Sequence, residues 1–508
     1  MIIKILKKIY FITSLIIIYT SIYIKHNFNN IGFEQLLYTV IKGKGTSFSA
    51  IINGIIIVST STIITILLTI IIKTTINNLK YRFFCILEIN KKRKKYTIFP
   101  PSKKEERIYC AIFFIMSIIF ACYYLGVFEY LKQQQEKTLI FENYYVDANK
   151  INIDFPTKKR NLIFIFVESL ESTNFSKSKG GITEKSYIPH LETFAEEYIN
   201  FSNTELLGGS FATTGATWTI AGMVAQTAAI PLKLSVGNQY KGYGEFLPGA
   251  LTIGDILQSN GYNNYLILGS DSMFGGRKDY FKYHGNYQIH DYYWAIEQKL
   301  IPNDYKEWWG FEDKKLFAFA KEELIKIAKE NKPFNYTILT ADTHFTDGYL
   351  DKSCPKEFKE QYANVFNCTD IMIYDFINWI QSQDFYSNTT IIITGDHLTM
   401  QEGFYNVPNN YSRTVYNVFI NSIINTKNNK NRISTTLDIY PTALASLGVQ
   451  IEGDKIGLGT NLFSDKKTLA EELSVSYLNE EFKKRSNYYN IELLGNSYFE
   501  LKKKLGDD

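Results

Sequence analysis

Asn161-Leu-Ile-Phe-Ile-Phe-Val167 runs through six consecutive apolar residues after Asn161 and ends on a carboxylate, Glu168. A short run rich in β-branched and aromatic residues, with no polar alternation, reads as a strand buried on both faces. Similar runs occupy residues 264–268, 335–339 and 389–393. Helix-like stretches fall at 188–198, 251–259, 314–329, 357–383 and 435–447. Strands alternating with helices predict an α/β domain built on a largely parallel sheet, with helices on both faces.

In open α/β sheets, ligands bind beyond the carboxyl ends of the strands. The chemically useful side chains gather there. The first run leads into Glu168, the 264–268 run into Ser270, Asp271 and Arg277, the 335–339 run into Asp342 and His344, and the 389–393 run into Asp396 and His397. Two carboxylates and an imidazole suit Zn, Mn or Mg. An Asp-His pair alone is more often a hydrogen-bonded turn at a strand end, but Glu168 in company turns the reading toward a metal site.

A nucleophile is expected as a fourth ligand. Ser210-Phe-Ala-Thr-Thr-Gly-Ala-Thr-Trp-Thr-Ile-Ala-Gly-Met223 is rich in hydroxyls and leads into an apolar, helix-like run. The first turn of a helix exposes N–H groups that favour anions, and a metal there would acidify a hydroxyl. On these grounds Thr213, Thr214, Thr217 and Thr219 remain equivalent. The plain alternative is an N-cap cluster without chemistry.

The first quarter differs in kind. Residues 9–24, 50–72 and 108–128 are apolar runs of roughly the length that crosses a bilayer. The loop after the first carries Lys25, Lys42 and Lys44, and the loop after the second carries eleven Lys and Arg residues between Lys73 and Arg107. The positive-inside tendency puts the second loop in the cytoplasm and everything after residue 128 outside it. A cleaved leader followed by buried core helices fits less well, because no small-x-small site follows the first run. The expected organisation is a membrane anchor over 1–128, a polar linker over 129–160, a catalytic domain over 161–466 and a helical tail over 467–508. The soluble part holds only Cys354 and Cys368 of the five cysteines, a close pair that suggests a disulfide in an oxidising compartment. The net charge is +4, and its one dense basic cluster lies between two apolar runs, so nothing points to nucleic acid.

Taken together, the motifs resemble the lipoteichoic acid synthase and phosphoglycerol transferase I group, in the sulfatase-like branch of the alkaline phosphatase superfamily. The matching stretches are Asn161 to Glu171, Gly215-Ala-Thr217-Trp-Thr-Ile-Ala-Gly-Met, Phe274-Gly-Gly-Arg277, Thr340-Ala-Asp-Thr-His344 and Thr394-Gly-Asp396-His397, in that family's order over roughly 144–447. The resemblance implies an alkaline phosphatase/sulfatase-like fold with Glu168, Thr217, Asp396 and His397 around one divalent metal, Mn or Mg before Zn. It implies Thr217 as nucleophile, with Arg277 and His344 on the phosphate and glycerol; Trp218 could stack on substrate. Where lipoteichoic acid synthases carry a Trp two positions before this Arg, the chain has Gly275, so its pocket wall must differ.

The function implied is transfer of phosphoglycerol from phosphatidylglycerol, or from a phosphoglycerol-bearing glycan, to a periplasmic or surface glycan. Thr217 would attack the donor, diacylglycerol would leave, His344 would protonate or position the leaving oxygen, and a sugar hydroxyl would resolve phosphothreonine. The implied place is a bacterial inner membrane with the catalytic domain on the periplasmic side. A phosphoethanolamine transferase acting on lipid A or a surface glycan is the nearest rival, usually with more disulfides. A sulfatase would need a Cys/Ser-x-Pro-x-Arg setting, which is not visible near Thr217. A non-catalytic scaffold would not be expected to keep every ligand. His190, His284 and His290 read as structural, and Asp271 and Asp347 as supporting residues. The sequence leaves the acceptor, the metal and the oligomeric state open.

Overall fold

The computed structural model describes residues 2–27, 32–41, 48–79, 83–89, 92–99, 103–233, 246–401 and 403–495. Lys42, Lys44, Lys80, Arg82 and Lys91 of the charge pattern, and residues 496–508 of the expected tail, lie outside them. The chain forms two compact units, one made of 1–37 and 46–132, the other of 38–45 and 133–508.

The first unit contains helices α1 (Ile2–Asn27), α2 (Phe48–Asn78) and α3 (Lys103–Tyr124). Each includes a stretch long and apolar enough to cross a membrane, of 20, 27 and 21 residues. Their Ile, Leu and Phe side chains are widely exposed, among them Ile56, Leu68, Ile71 and Ile115, which in water would be a costly apolar surface. The basic loop is not featureless: Phe83–Ile89 and Lys92–Phe99 pair as an antiparallel hairpin. Lysines and arginines masked the alternation that marks these strands.

The second unit is organised on a seven-stranded sheet. Its strands are β1 (Asn161–Val167), β2 (Gly209–Ser210), β3 (Asn263–Leu268), β4 (Gln288–His290), β5 (Phe334–Leu339), β6 (Thr389–Gly395) and β7 (Val415–Ile420), in the order β2-β7-β6-β1-β5-β3-β4. From β6 to β4 all neighbours are parallel, and β7 runs antiparallel to β6 and β2. The three strands the sequence pattern did not give are those with weak signals. β2 and β4 have two and three residues, and β7 carries Asn417 in mid-run.

Every residue of β1 is buried, as a central parallel strand requires. Ile163, Ile165 and Val167 face a core that includes Phe194, Leu316, Phe317, Phe376 and Ile377. These come from helices Pro189–Glu197, Asp313–Ala328 and Gln361–Gln381. The alternate residues Phe164 and Phe166 stack at 4.4 Å on the opposite face, as period-2 alternation demands. The helix expected over 357–383 begins at Gln361, because the Asn364 side chain bonds both the N–H and the carbonyl of Phe358 (2.8 Å each) and holds a turn there.

One segment differs from expectation. The stretch expected to be a linker is packed from Gln133 onward. Ile140 and Phe141 are buried, the Phe141 ring lies 5.4 Å from that of Tyr489, and Ile153–Asp154 pairs with Gln450–Ile451. The described part of the tail is folded too. Arg432 ties it down with Nε 2.9 Å from Glu471 and Nη2 2.9 Å from the Lys466 carbonyl. Cys354 and Cys368 form a disulfide spanning a separation of 14 residues.

Candidate metal and phosphoryl-transfer site

The sheet order determines which side chains meet. β6, β1, β5 and β3 are consecutive neighbours, and they deliver Asp396 and His397, then Glu168, then His344, then Arg277 to one edge. Val167 and Gly395 are register partners, so Glu168 and Asp396 leave the sheet side by side.

Glu168, Asp396 and His397 are buried, and one potential ligand atom of each lies within 4.8 Å of the other two. His397 Nε2 is 3.3 Å from Glu168 Oε1 and 3.4 Å from Asp396 Oδ2. Hydrogen bonds fix the aim of each group. Asp396 Oδ1 accepts from the N–H groups of Ser169 (2.8 Å) and His397 (2.7 Å). His397 Nδ1 is held by the Leu398 carbonyl at 2.7 Å. The remaining atoms, Asp396 Oδ2 and His397 Nε2, are buried without a hydrogen-bond partner. Orphaned buried polar atoms are costly, and two of them converging beside a third carboxylate fit a divalent cation. The residues therefore match the group the motifs imply.

The electrostatics agree. Burial and the neighbouring Glu168 charge push Asp396 up to about 8. Burial opposes the charged form of His397, but Asp396 and Glu168 outweigh it and raise its pKa to about 10. Burial also raises Glu168, yet His397 and His344 win and hold it below the usual carboxylate range. A cluster that retains protons to offset its own charge is one a cation would relieve.

Of the four candidate threonines, the structure brings Thr219 to this cluster. Its hydroxyl donates to Glu168 Oε2 at 3.1 Å. It is the first residue of helix α4 (Thr219–Ala228), with Trp218 at the N-cap. The helix lies tight against the metal-ligand loop, since a Cβ at Gly222 would sit 2.0 Å from the Asp396 carbonyl oxygen. Thr217, expected from the motif to be a ligand, is two residues upstream with its side chain exposed. Thr213 is buried, and the Thr214 N–H is bound by Asn479 at 2.8 Å. Trp218 packs 5.9 Å from Tyr38, within the same unit, and its indole N–H is buried without a partner.

Arg277 opens helix α5 (Arg277–Tyr283) and is 6% exposed. The carbonyls of Phe274 (3.0 Å) and Asp271 (2.8 Å) hold its Nε and Nη2. Burial lowers its pKa to about 10 against the pull of Glu168 and Asp271, so it stays cationic at neutral pH. His344 Nδ1 lies 2.6 Å from the Phe345 carbonyl, which makes that nitrogen the protonated one and leaves Nε2 as an acceptor. Burial lowers the His344 pKa, against the opposing pull of Glu168. A neutral imidazole of this tautomer takes a proton at Nε2; the sequence reading had His344 protonate or position the leaving oxygen.

His284 is saturated by Asp255 (2.8 Å) and the Phe246 carbonyl (2.6 Å), His290 stacks on Trp294, and His190 stacks on Tyr374. Asp347 and Gln401 exchange two bonds, of 2.7 and 2.6 Å, between the loops carrying His344 and His397. A pairing invisible in the sequence joins Glu171 to Arg413. The fully buried Glu171 carboxylate accepts from Arg413 Nε (2.7 Å) and Nη2 (2.6 Å), from the Thr173 hydroxyl and from Thr399 N–H (3.2 Å). Arg413 also donates to the Thr399 carbonyl at 3.1 Å.

The chain matches the family described as Sulfatase over residues 160–449, more than half of its length. The chain belongs to that family. It is 29% identical over 316 residues to phosphoglycerol transferase I of Xanthomonas campestris pv. campestris (strain B100), covering 61% of this chain and 43% of the relative. It is 30% identical over 352 residues to phosphoglycerol transferase I of Salmonella choleraesuis (strain SC-B67), covering 67% and 42%. The chain thus spans less than half the length of these relatives. Among solved structures, the lipoteichoic acid synthase LtaP of Listeria monocytogenes aligns with a TM-score of 0.47 at 17% identity, covering 62% of this chain and 80% of that one. The lipooligosaccharide phosphoethanolamine transferase A of Neisseria meningitidis aligns at 0.49 and 12%, covering 86% and 83%.

Proposed function

We propose that this is a membrane-bound, metal-dependent phosphoglycerol transferase that takes phosphoglycerol from a phospholipid and passes it to a glycan through a phosphothreonine intermediate. The observation that carries the reading is the Thr219 hydroxyl, 3.1 Å from Glu168 at a helix N-terminus, beside two open ligand atoms on Asp396 and His397. The relatives named phosphoglycerol transferase I supply the group transferred. The three apolar helices and the basic second loop support an inner-membrane protein with its catalytic unit outside the cytoplasm, and the disulfide suits an oxidising compartment.

A divalent ion, Mn or Mg before Zn, held by Glu168, Asp396 and His397 would acidify the threonine hydroxyl and balance phosphoryl charge. Thr219 Oγ1 attacks phosphorus, the new O–P bond forms, and the P–O bond to diacylglycerol breaks. The hydroxyl proton leaves with the diacylglycerol oxygen. Arg277 and the first-turn N–H groups of α4 stabilise the phosphoryl oxygens. In the second step a sugar hydroxyl attacks phosphorus and gives its proton to His344 Nε2, the P–O bond to Thr219 Oγ1 breaks, and the released threonine oxygen takes up that proton. Thr219 thereby takes the role the motif resemblance gave to Thr217.

The test uses the full chain in detergent with phosphatidylglycerol and Mn²⁺, without acceptor. Diacylglycerol release with a glycerophosphate adduct on the peptide containing Thr219, abolished by Thr219→Ala and retained in Thr217→Ala, is expected. An adduct on Thr217 would reverse the assignment. Turnover of phosphatidylethanolamine in place of phosphatidylglycerol would overturn the choice of group.

A further inference from the structure

The wall beside His344 is built from a part of the chain that no motif marks. Gly275 sits at φ 66°, a left-handed conformation that a large side chain there would strain. The aromatic ring next to the site comes instead from Trp309. Its centroid is 4.8 Å from that of His344 and 5.4 Å from that of Phe274, whose ring in turn carries the Arg277 guanidinium at 5.4 Å. One indole therefore touches the loops that bear both substrate-facing residues.

This ring is held in place. Gly310 bridges to Ser270, and Phe311 N–H donates to the Gly269 carbonyl at 2.9 Å, so the Trp309 segment is stitched to the end of β3. Trp308 next door donates its indole N–H to the Ala341 carbonyl at 3.1 Å, fastening the same segment to the loop after β5. Trp309 itself is half-buried, and its indole N–H forms no hydrogen bond among the described residues.

A rigid, half-exposed aromatic face with an indole N–H, set beside the His344 imidazole, matches a ligand that is apolar on one face and hydroxylated at its edge. A pyranose ring is such a ligand. A glycerol headgroup has no comparable face, and acyl chains call for a longer apolar groove. We propose that Trp309 is the stacking platform for the hexose ring of the acceptor glycan, placing one of its hydroxyls against His344. This rests on the reading above and extends it by locating the acceptor subsite. The fixed geometry lowers the ordering cost of binding, and loss of one stacked ring is expected to weaken binding about tenfold.

The experiment uses the full chain in detergent and a neutral gluco-oligosaccharide of about six rings as probe. Its binding is measured by ligand-observed NMR to wild type, Trp309→Ala and Trp309→Phe, with diacylglycerol release from phosphatidylglycerol followed separately without acceptor. The expected result is about tenfold weaker oligosaccharide binding in Trp309→Ala, near-wild-type binding in Trp309→Phe, and a loss of diacylglycerol release in Trp309→Ala much smaller than the loss of oligosaccharide binding. Unaltered oligosaccharide binding in Trp309→Ala overturns the platform. So does an equal loss of diacylglycerol release, which would put the ring on the donor side. Wild type that binds the oligosaccharide but releases no diacylglycerol would overturn the transferase reading while leaving the platform supported.

Discussion

Arg413→Met tests how the two ligand-bearing loops are held together. Glu171 lies three residues after Glu168 and is fully buried; Thr399, which it shares with Arg413, lies two residues after His397. Removing the guanidinium deletes both charge-assisted bonds, of 2.7 and 2.6 Å, and leaves a buried carboxylate with only the Thr173 hydroxyl and Thr399 N–H. Breaking such a pair costs roughly 3–5 kcal/mol. Arg413 is 28% exposed, so water can reach the vacated side, and the lower end, about 3 kcal/mol, applies. At roughly 2 °C per kcal/mol for a large domain, the unfolding midpoint falls by about 6 °C. Because the pair also anchors Thr399, Mn²⁺ affinity falls about tenfold, as for groups that orient a metal ligand from behind. Scanning fluorimetry and a Mn²⁺ titration read the two effects. The double variant Glu171→Gln/Arg413→Met removes the uncompensated charge and should recover at least half of the lost stability. A loss below about 1 kcal/mol, or a double variant no more stable than the single one, would refute the clamp.

Two further outcomes are expected. Bound metal requires deprotonated ligands, while the metal-free protein holds Asp396 near 8 and His397 near 10. Below pH 8 each ion displaces up to two protons, so Mn²⁺ affinity should rise between tenfold and about 100-fold from pH 6.5 to 7.5; a dissociation constant indifferent to pH by calorimetry would sink this. Gly222→Ala places a methyl 2.0 Å from the Asp396 carbonyl oxygen, so helix and ligand loop must separate. Mn²⁺ affinity should drop more than tenfold, and wild-type affinity in the same titration would show that the helix does not set the ligand loop.

The meeting of Glu168, Asp396 and His397 was legible because strand ends announce themselves. An apolar run followed by a carboxylate states both where the strand stops and what it presents, as at Val167 and Glu168. Which threonine hydroxyl meets Glu168 was not legible. Thr217 and Thr219 differ by two positions, and which one meets Glu168 depends on where the helix takes its first turn, here at Thr219 with Trp218 as the cap. Trp309 was hidden for another reason: it reaches His344 through tertiary contact, from a loop with no periodicity of its own. The Glu171–Arg413 pair spans 242 residues of sequence, a distance over which no local pattern speaks. Gln133 to Tyr145 read as linker because its polar residues hide Ile140 and Phe141, which the chain buries.

The register of β1 against β6, which pairs Val167 with Gly395, fixes the separation of Glu168 and Asp396 through the hydrogen-bond ladder and leaves the connecting loops free of that task. The loops, Trp309's among them, can therefore vary in length and content without disturbing the spacing of Glu168 and Asp396. In engineering terms the molecule is divided into a chassis and an exchangeable fitting, and if Trp309 holds the acceptor as proposed, altering the recipient calls for a loop graft, with the paired strands left untouched.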